Sequence, residues 1–156
     1  MEGDVAIERI TQMLAAHPFT RDLPAGEIAS LAPFGALREF SSGEVIFRAD
    51  AAADTFYLIR SGLVALEVDT GGSVPRVLQH IAEGSALGWS WLFPPYRWQF
   101  TAVARSPVRT IAFDAATLRA HFEAQPQCGY HVLSRVAETM ADRLHATRHQ
   151  VASLAG

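Results

Sequence analysis

Apolar positions recur at helical spacing at both ends of this chain and at strand spacing between them. Ile7, Ile10, Met13 and Leu14 fall on one helical face, and Pro18 closes that stretch. Pro24-Ala25-Gly26-Glu27 opens a shorter segment with Ile28, Leu31 and Phe34 as its apolar face, so residues 1–38 are expected to form an N-terminal helical segment. From Glu39 to Phe113 the runs become short, β-branched and aromatic. They are Glu44–Phe47, Thr55–Ile59, Leu63–Val68, Val77–Ile81, Phe100–Ala104 and Val108–Phe113. Ser41-Ser42-Gly43, Arg60-Ser61-Gly62 and Thr70-Gly71-Gly72-Ser73 supply turn chemistry between them. Strands this short and evenly spaced predict an antiparallel, jelly-roll-like β-roll over residues 39–113, in a single domain that is mainly β with flanking helices.

The helical period returns after Phe113, in residues 114–156. Asp114 is placed to cap a helix that buries Leu118 and Phe122, and Pro126 suits the first turn of a longer helix over 126–154. Along that helix Leu133, Ala137, Met140, Leu144, Thr147, Val151 and Leu154 alternate spacings of four and three, which is a heptad seam. A helix packed only on its own roll usually carries a broader stripe. Here Arg135, Glu138, Asp142, Arg143, His145, Arg148, His149 and Gln150 flank the seam, so a homodimer helix is the expectation and a docking face the competitor. About three heptads need help from the roll to hold two copies together. Thr147 is a weak seam residue and invites a second role.

Composition narrows the function classes. The chain has 156 residues, 49% hydrophobic and 19% charged, which fits one globular domain and excludes a disordered chain. Its one cysteine, Cys128, rules out an internal disulfide and a cysteine metal cage. The N-terminus lacks the basic-then-apolar pattern of a secretory signal, and no apolar run reaches bilayer length, so a cytoplasmic protein without a membrane segment is expected. Thirteen Lys and Arg against sixteen Asp and Glu give a net charge of -3, and the arginines are scattered, as in Arg135/Glu138 and Asp142/Arg143. Phosphate neutralisation drives most nucleic-acid affinity, so this chain alone is not expected to bind DNA.

The most unusual segment is 84–101, which holds all three tryptophans, Trp89, Trp91 and Trp98. Gly88 lets a ligand or a neighbouring backbone approach closely, a helical turn after it would present free N–H groups to an anion, and Arg97 would add a planar charged fork. The bland reading of the tryptophans is core filling under a loop, above all for Trp91. His145 and His149 lie four apart with Asp142 nearby, a spacing that also suits solvated surface residues, and no fourth metal ligand is apparent. His80, His121 and His131 read as isolated packing or surface residues. No nucleophile elbow, Walker loop or paired carboxylates in a glycine-rich setting occur, so no enzyme is expected.

Segment 84–101, the Ser41–Phe47 strand, the Phe56–Val64 hairpin, Ser106-Pro107-Val108-Arg109 and Met140–Thr147 follow one another as in a known family. The chain resembles the cyclic nucleotide-binding domain of the catabolite activator protein (Crp/Fnr-like) family, and segment 84–101 resembles its phosphate-binding cassette. The resemblance implies a non-catalytic regulatory sensor domain that takes cAMP, cGMP or a divergent small anion between cassette and long helix, and signals through a dimer to an unknown downstream protein. Carried over by position, the family's glycine falls on Gly88, its ribose-binding glutamate on Trp89, its phosphate-binding arginine on Trp98 with Gln99 beside it, and its base-contacting threonine on Thr147, followed by Arg148. Both charged hallmarks are thus tryptophan, and a one-residue slip would bring Arg97 into the arginine position. A lost charged hydrogen bond to a ribose hydroxyl costs about 1.5–3 kcal/mol. The expected ligand-facing residues are Gly88, Trp89, Ser90, Arg97, Trp98, Gln99, Phe100, Thr147 and Arg148. The alternative is a ligand-free interaction module of the same fold, its pocket filled by Trp89 and Trp98. The family's transcription factors begin a helix-turn-helix domain about where this chain stops, so operator binding by this chain is not expected.

Overall fold

The computed structural model describes residues 2–155; Met1 and Gly156, which the expected segments 1–38 and 114–156 include, lie outside the described residues. Helices α1 (Glu2–Ala16) and α2 (Ala25–Leu31) precede eight strands: β1 (Gly35–Phe40), β2 (Val45–Phe47), β3 (Thr55–Ser61), β4 (Val64–Val68), β5 (Arg76–Ile81), β6 (Ala86–Leu87), β7 (Thr101–Ala104) and β8 (Val108–Asp114). Helices α3 (Ala115–Ala124) and α4 (Pro126–Ala155) follow. The strands form two four-stranded antiparallel sheets, in the orders β1-β8-β3-β6 and β2-β7-β4-β5.

The alternation along β3 explains the layering. Tyr57 and Ile59 point between the two sheets, where they meet Ile46, Val64, Leu66 and Leu87. Phe56 and Leu58 point the other way, into a second core of Leu14, Phe19, Trp91, Leu118 and Val132 supplied by the helices, the turn after α1 and the cassette. Strand β8 does the same, with Val108 and Ala112 between the sheets and Ile111 and Phe113 toward the helices. Both faces of this sheet are buried, so β3 reads as a continuous apolar run rather than an alternating one.

One expectation at the N-terminal end needs correction. The chain is not helical to residue 38, because β1 begins at Gly35 and pairs along its whole length with β8, from Gly35↔Phe113 to Phe40↔Val108. Ala36-Leu37-Arg38-Glu39 is exposed and lacks a buried alternate face. Its strand form comes from pairing with β8, which no local pattern announces. Gly62 terminates β3 at φ +100°, and a Cβ there would lie 2.4 Å from the Pro107 carbonyl oxygen, so the turn admits only glycine. Asp114 caps α3 as expected, its Oδ2 accepting from the Thr117 amide at 2.9 Å.

His17 ties the end of α1 to β3. Its Nδ1 accepts from the Phe19 amide at 3.1 Å, so its Nε2–H donates to the Ile59 carbonyl at 2.8 Å. Burial, together with the charge of Arg60, holds its pKa below the ordinary 6.5 against the opposing effect of the Ile59 bond. The unfolded chain therefore binds the extra proton more readily. The contribution of His17 is complete above 6.5 and is lost as pH falls below it. Urea-unfolding free energy is expected to decline from about pH 7 to about pH 5, and His17→Gln is expected to flatten that decline. Identical slopes in the two proteins would remove His17 as a cause.

Candidate functional site

The cassette leaves β6, turns at Gly88 with φ +80°, and makes a single 3-10 turn over Ser90–Leu92. Leu92 N–H donates to the Trp89 carbonyl at 3.0 Å. Trp91 lies wholly in the helical core against Phe56, ring centroids 4.6 Å apart, as the core-filling reading held. Its indole N–H has no hydrogen-bond partner among the described residues. From outside, Arg119 of α3 donates to the Trp91 carbonyl at 2.6 Å and stacks over Tyr96 at 4.1 Å.

Trp98 occupies the floor of the cassette. Its ring stacks on Phe47 at 3.7 Å with 9° between the planes, and only 5% of the residue is exposed. A Cβ added to Gly88 would meet Trp98 Cζ3 at 2.7 Å, so the space beside that glycine is filled by the indole. The backbone pins it there: Trp98 N–H donates to the Ala51 carbonyl at 3.0 Å, and Asp50 N–H donates to the Trp98 carbonyl at 2.8 Å.

This register excludes the one-residue slip. Arg97 points away from the cassette, pairs as a bridge with Ala52 and donates to the Asp50 carbonyl at 2.7 Å on the surface. Backbone pairing of residues on either side sends adjacent side chains to opposite faces. Trp98 therefore takes the inside and Arg97 the outside.

Gly88, Trp89, Ser90, Trp98, Gln99 and Phe100 do come together, around a cavity of about 60 Å³ completed by Phe47, Leu66, Gln79 and Arg143. Thr147 lines a neighbouring hollow of about 240 Å³ with Leu66, Leu78, Gln79, Phe100, Ala146 and Gln150. Leu66, Gln79 and Phe100 border both spaces. Arg148 is exposed and lines neither.

Arg143 is the site residue that sequence reasoning missed. Reading Asp142/Arg143 as a charge pair overlooked that adjacent helix positions do not face each other. Arg143 instead turns toward the cassette. Its Nη2–H donates to the Ala86 carbonyl at 2.8 Å, and its guanidinium lies 4.9 Å from the Trp89 ring centroid. Among the described residues it has no carboxylate partner. Burial alone lowers its pKa to about 10, which leaves it charged at neutral pH. Trp89 thus presents a ring face to a cation rather than closing the pocket.

The remaining candidates have structural partners. His131 is not isolated, since it pairs with Glu27 at 2.8 Å, and His121 bonds Ser30 at 3.1 Å. Cys128 is buried beside them and its thiol is pushed up to about 11 by burial and by Glu27. Among the described residues no group of three His, Cys, Asp or Glu is arranged to hold a metal ion, the Asp142, His145 and His149 set included. On α4 the seam positions Leu133, Ala137, Leu144, Thr147, Val151 and Leu154 are exposed, whereas Met140 packs partly on the domain's own core.

With two packed β-sheets, a cassette and a long C-terminal helix in place, residues 37–125 match the model of the cyclic nucleotide-binding domain. The chain belongs to the cyclic nucleotide-binding domain family. A cAMP-dependent protein kinase regulatory subunit of Dictyostelium discoideum is 30% identical over 80 residues, 51% of this chain and 24% of that protein. The chain therefore spans about a quarter of that curated relative. A putative cyclic nucleotide-binding protein of Geobacter metallireducens superposes with a TM-score of 0.75 at 26% identity, covering 90% of this chain and 98% of that one. The regulatory subunit of a cAMP-independent protein kinase A from Trypanosoma cruzi, bound to guanosine, superposes with a TM-score of 0.72 at 27% identity over 90% of this chain and 47% of that one. No helix among the described residues is long and apolar enough to cross a membrane.

Proposed function

We propose that this domain is a dimeric regulatory module whose ligand is not a cyclic nucleotide held in the usual cassette pose. The ligand is a divergent small molecule between cassette and α4, with an anionic group at Arg143 and a flat remainder against Thr147, Gln79 and Phe100. The observation that carries this reading is the Trp98 indole against Gly88, because it fills the place from which backbone amides and an arginine would hold a cyclic phosphate. The cavity left there, about 60 Å³, is far below the roughly 300 Å³ at which small-molecule sites begin. Arg143 supports the anionic end, since it is a partly buried cation that forms no ion pair among the described residues. The guanosine-bound Trypanosoma cruzi relative supports a departure from cyclic nucleotides, guanosine being a nucleoside without phosphate. A second reading, the ligand-free module, draws on the same plugging by Trp98 and gives Arg143 a purely structural role, bonded to the Ala86 carbonyl and stacked over Trp89.

Calorimetry with cAMP and cGMP at up to about 1 mM is expected to register no binding by the wild type. The double variant Trp89→Glu/Trp98→Arg restores the family's charged pair and is expected to bind cAMP in the micromolar range. Micromolar binding by the wild type would overturn the proposal. A thermal-shift panel of anionic heteroaromatic compounds separates the two readings: stabilisation that Arg143→Gln abolishes supports the ligand, and a silent panel supports the ligand-free module.

A further inference from the structure

Arg143 borders a second hollow besides the small cavity at Trp89. This one lies between α4 and the end of β5 with the turn that follows, and measures about 380 Å³. Arg135 and Thr139 line it with their bonds already made, Arg135 to the Phe19 and Pro18 carbonyls and to Glu138, and Thr139 to the Arg135 carbonyl. Gln79, His80 and Ser85 add side chains that make no hydrogen bond of their own among the described residues. The charges come from two neighbours in sequence. Asp142 is exposed and, among the described residues, forms no hydrogen bond or ion pair. Arg143 is half-buried, with one N–H donor committed to the Ala86 carbonyl and others left for a guest.

Opposite charges thus line one hollow without neutralising each other. A guest carrying only an anion gains at Arg143 and is repelled by Asp142, and a simple amine meets the reverse. A guest with both signs satisfies both walls. Its anionic group goes to the guanidinium fork, which suits the two oxygens of a carboxylate. Its ammonium group stays toward solvent, at Asp142.

The rest of such a guest has a place too. Thr139, Arg143 and Thr147 follow one another at spacings of four on one face of α4. Thr139 lines the hollow at Asp142, and Thr147 lines the hollow of about 240 Å³ that holds the Phe100 ring and the Leu66 and Leu78 side chains. Gln79 borders both hollows and the small cavity at Trp89. A molecule lying along α4 past Gln79 therefore sets a flat apolar group at Phe100, an anion at Arg143 and a cation at Asp142. An α-amino acid with an aromatic side chain carries these three groups around a single carbon.

We infer that the ligand is a zwitterion of the aromatic amino acid class, with its carboxylate on Arg143, its ammonium group on Asp142 and its ring beside Phe100 and Thr147. The inference rests on the preceding reading of Arg143 as the anionic end of the site, and it adds the second charge. Asp142 becomes the residue that tells an amino acid from the plain acid of the same shape.

Calorimetry on the full chain tests this with L-phenylalanine and L-tryptophan, each beside the acid that lacks its amino group, 3-phenylpropionate and indole-3-propionate. Ionic strength is matched so that screening is held constant. Each amino acid is expected to bind about fivefold tighter than its plain acid, the most that an exposed ion pair returns. Asp142→Asn is expected to bring that ratio to about one, and Arg143→Gln to weaken amino acid and plain acid alike at least about tenfold. Equal affinities in the wild type, or a ratio that survives in Asp142→Asn, overturns the ammonium subsite and leaves the anionic one standing. Silence toward all four probes at about 10 mM, with an anion of the thermal-shift panel still bound through Arg143, overturns the amino acid class alone. Silence toward probes and panel together overturns both readings.

Discussion

Trp98→Ala is expected to remove about 3–5 kcal/mol of folding stability, the usual cost of truncating a buried tryptophan to alanine. The residue is almost wholly buried, its ring lies flat on Phe47 at 3.7 Å, and its far edge rests against Gly88. Its backbone is held at both N–H and carbonyl by residues 50 and 51, so the loop has little freedom to collapse into the space vacated. Against a domain stability of about 5–15 kcal/mol this is a large share. Equilibrium denaturation in urea reads it directly. A loss under about 1 kcal/mol would mean that the cassette closes without its indole, and the argument that Trp98 defines the pocket would fail with it.

Leu144→Glu is expected to weaken the proposed dimer about a thousandfold. Leu144 takes an a position and is 52% exposed in one copy, so the substitution spares the roll. In the coil it sets two carboxylates face to face. Each carboxyl takes up a proton on burial, and burying the neutral group without a partner costs about 2 kcal/mol, so about 4 kcal/mol for the pair is roughly three decades in Kd. Analytical ultracentrifugation at increasing concentration measures the shift. An unchanged association constant would turn the seam into a surface without a role in pairing.

The roll and its long helix were legible because their signals are local. β-branched runs between glycine turns mark six of the eight strands, Pro126 marks the start of α4, and the four-three spacing marks its course from Leu133 onward. β1 and the two-residue β6 were not, since each exists through pairing with a strand distant in sequence. The site divides in the same way. Position along the chain singles out Gly88, Trp89 and Trp98, and the structure brings the three together around one small cavity. Which way Arg97 faces depends on its bridge to Ala52, a contact between segments 45 residues apart, and sequence spacing carries no trace of it. Arg143 escaped for another reason. Beside Asp142 in sequence it resembles half of a solvated pair, and only the packing of α4 against the roll turns it into a half-buried cation bonded to the Ala86 carbonyl.

The bond from Arg143 to the Ala86 carbonyl makes the resting orientation of α4 a preferred one. Turning the helix by a single residue would swing the guanidinium off that oxygen and leave a charge-assisted bond of about 1.5–3 kcal/mol unmade. That difference holds the helix about tenfold to a hundredfold in favour of its present pose before any guest arrives. The contact works as a detent: drawing the guanidinium outward must overcome it before the helix can turn.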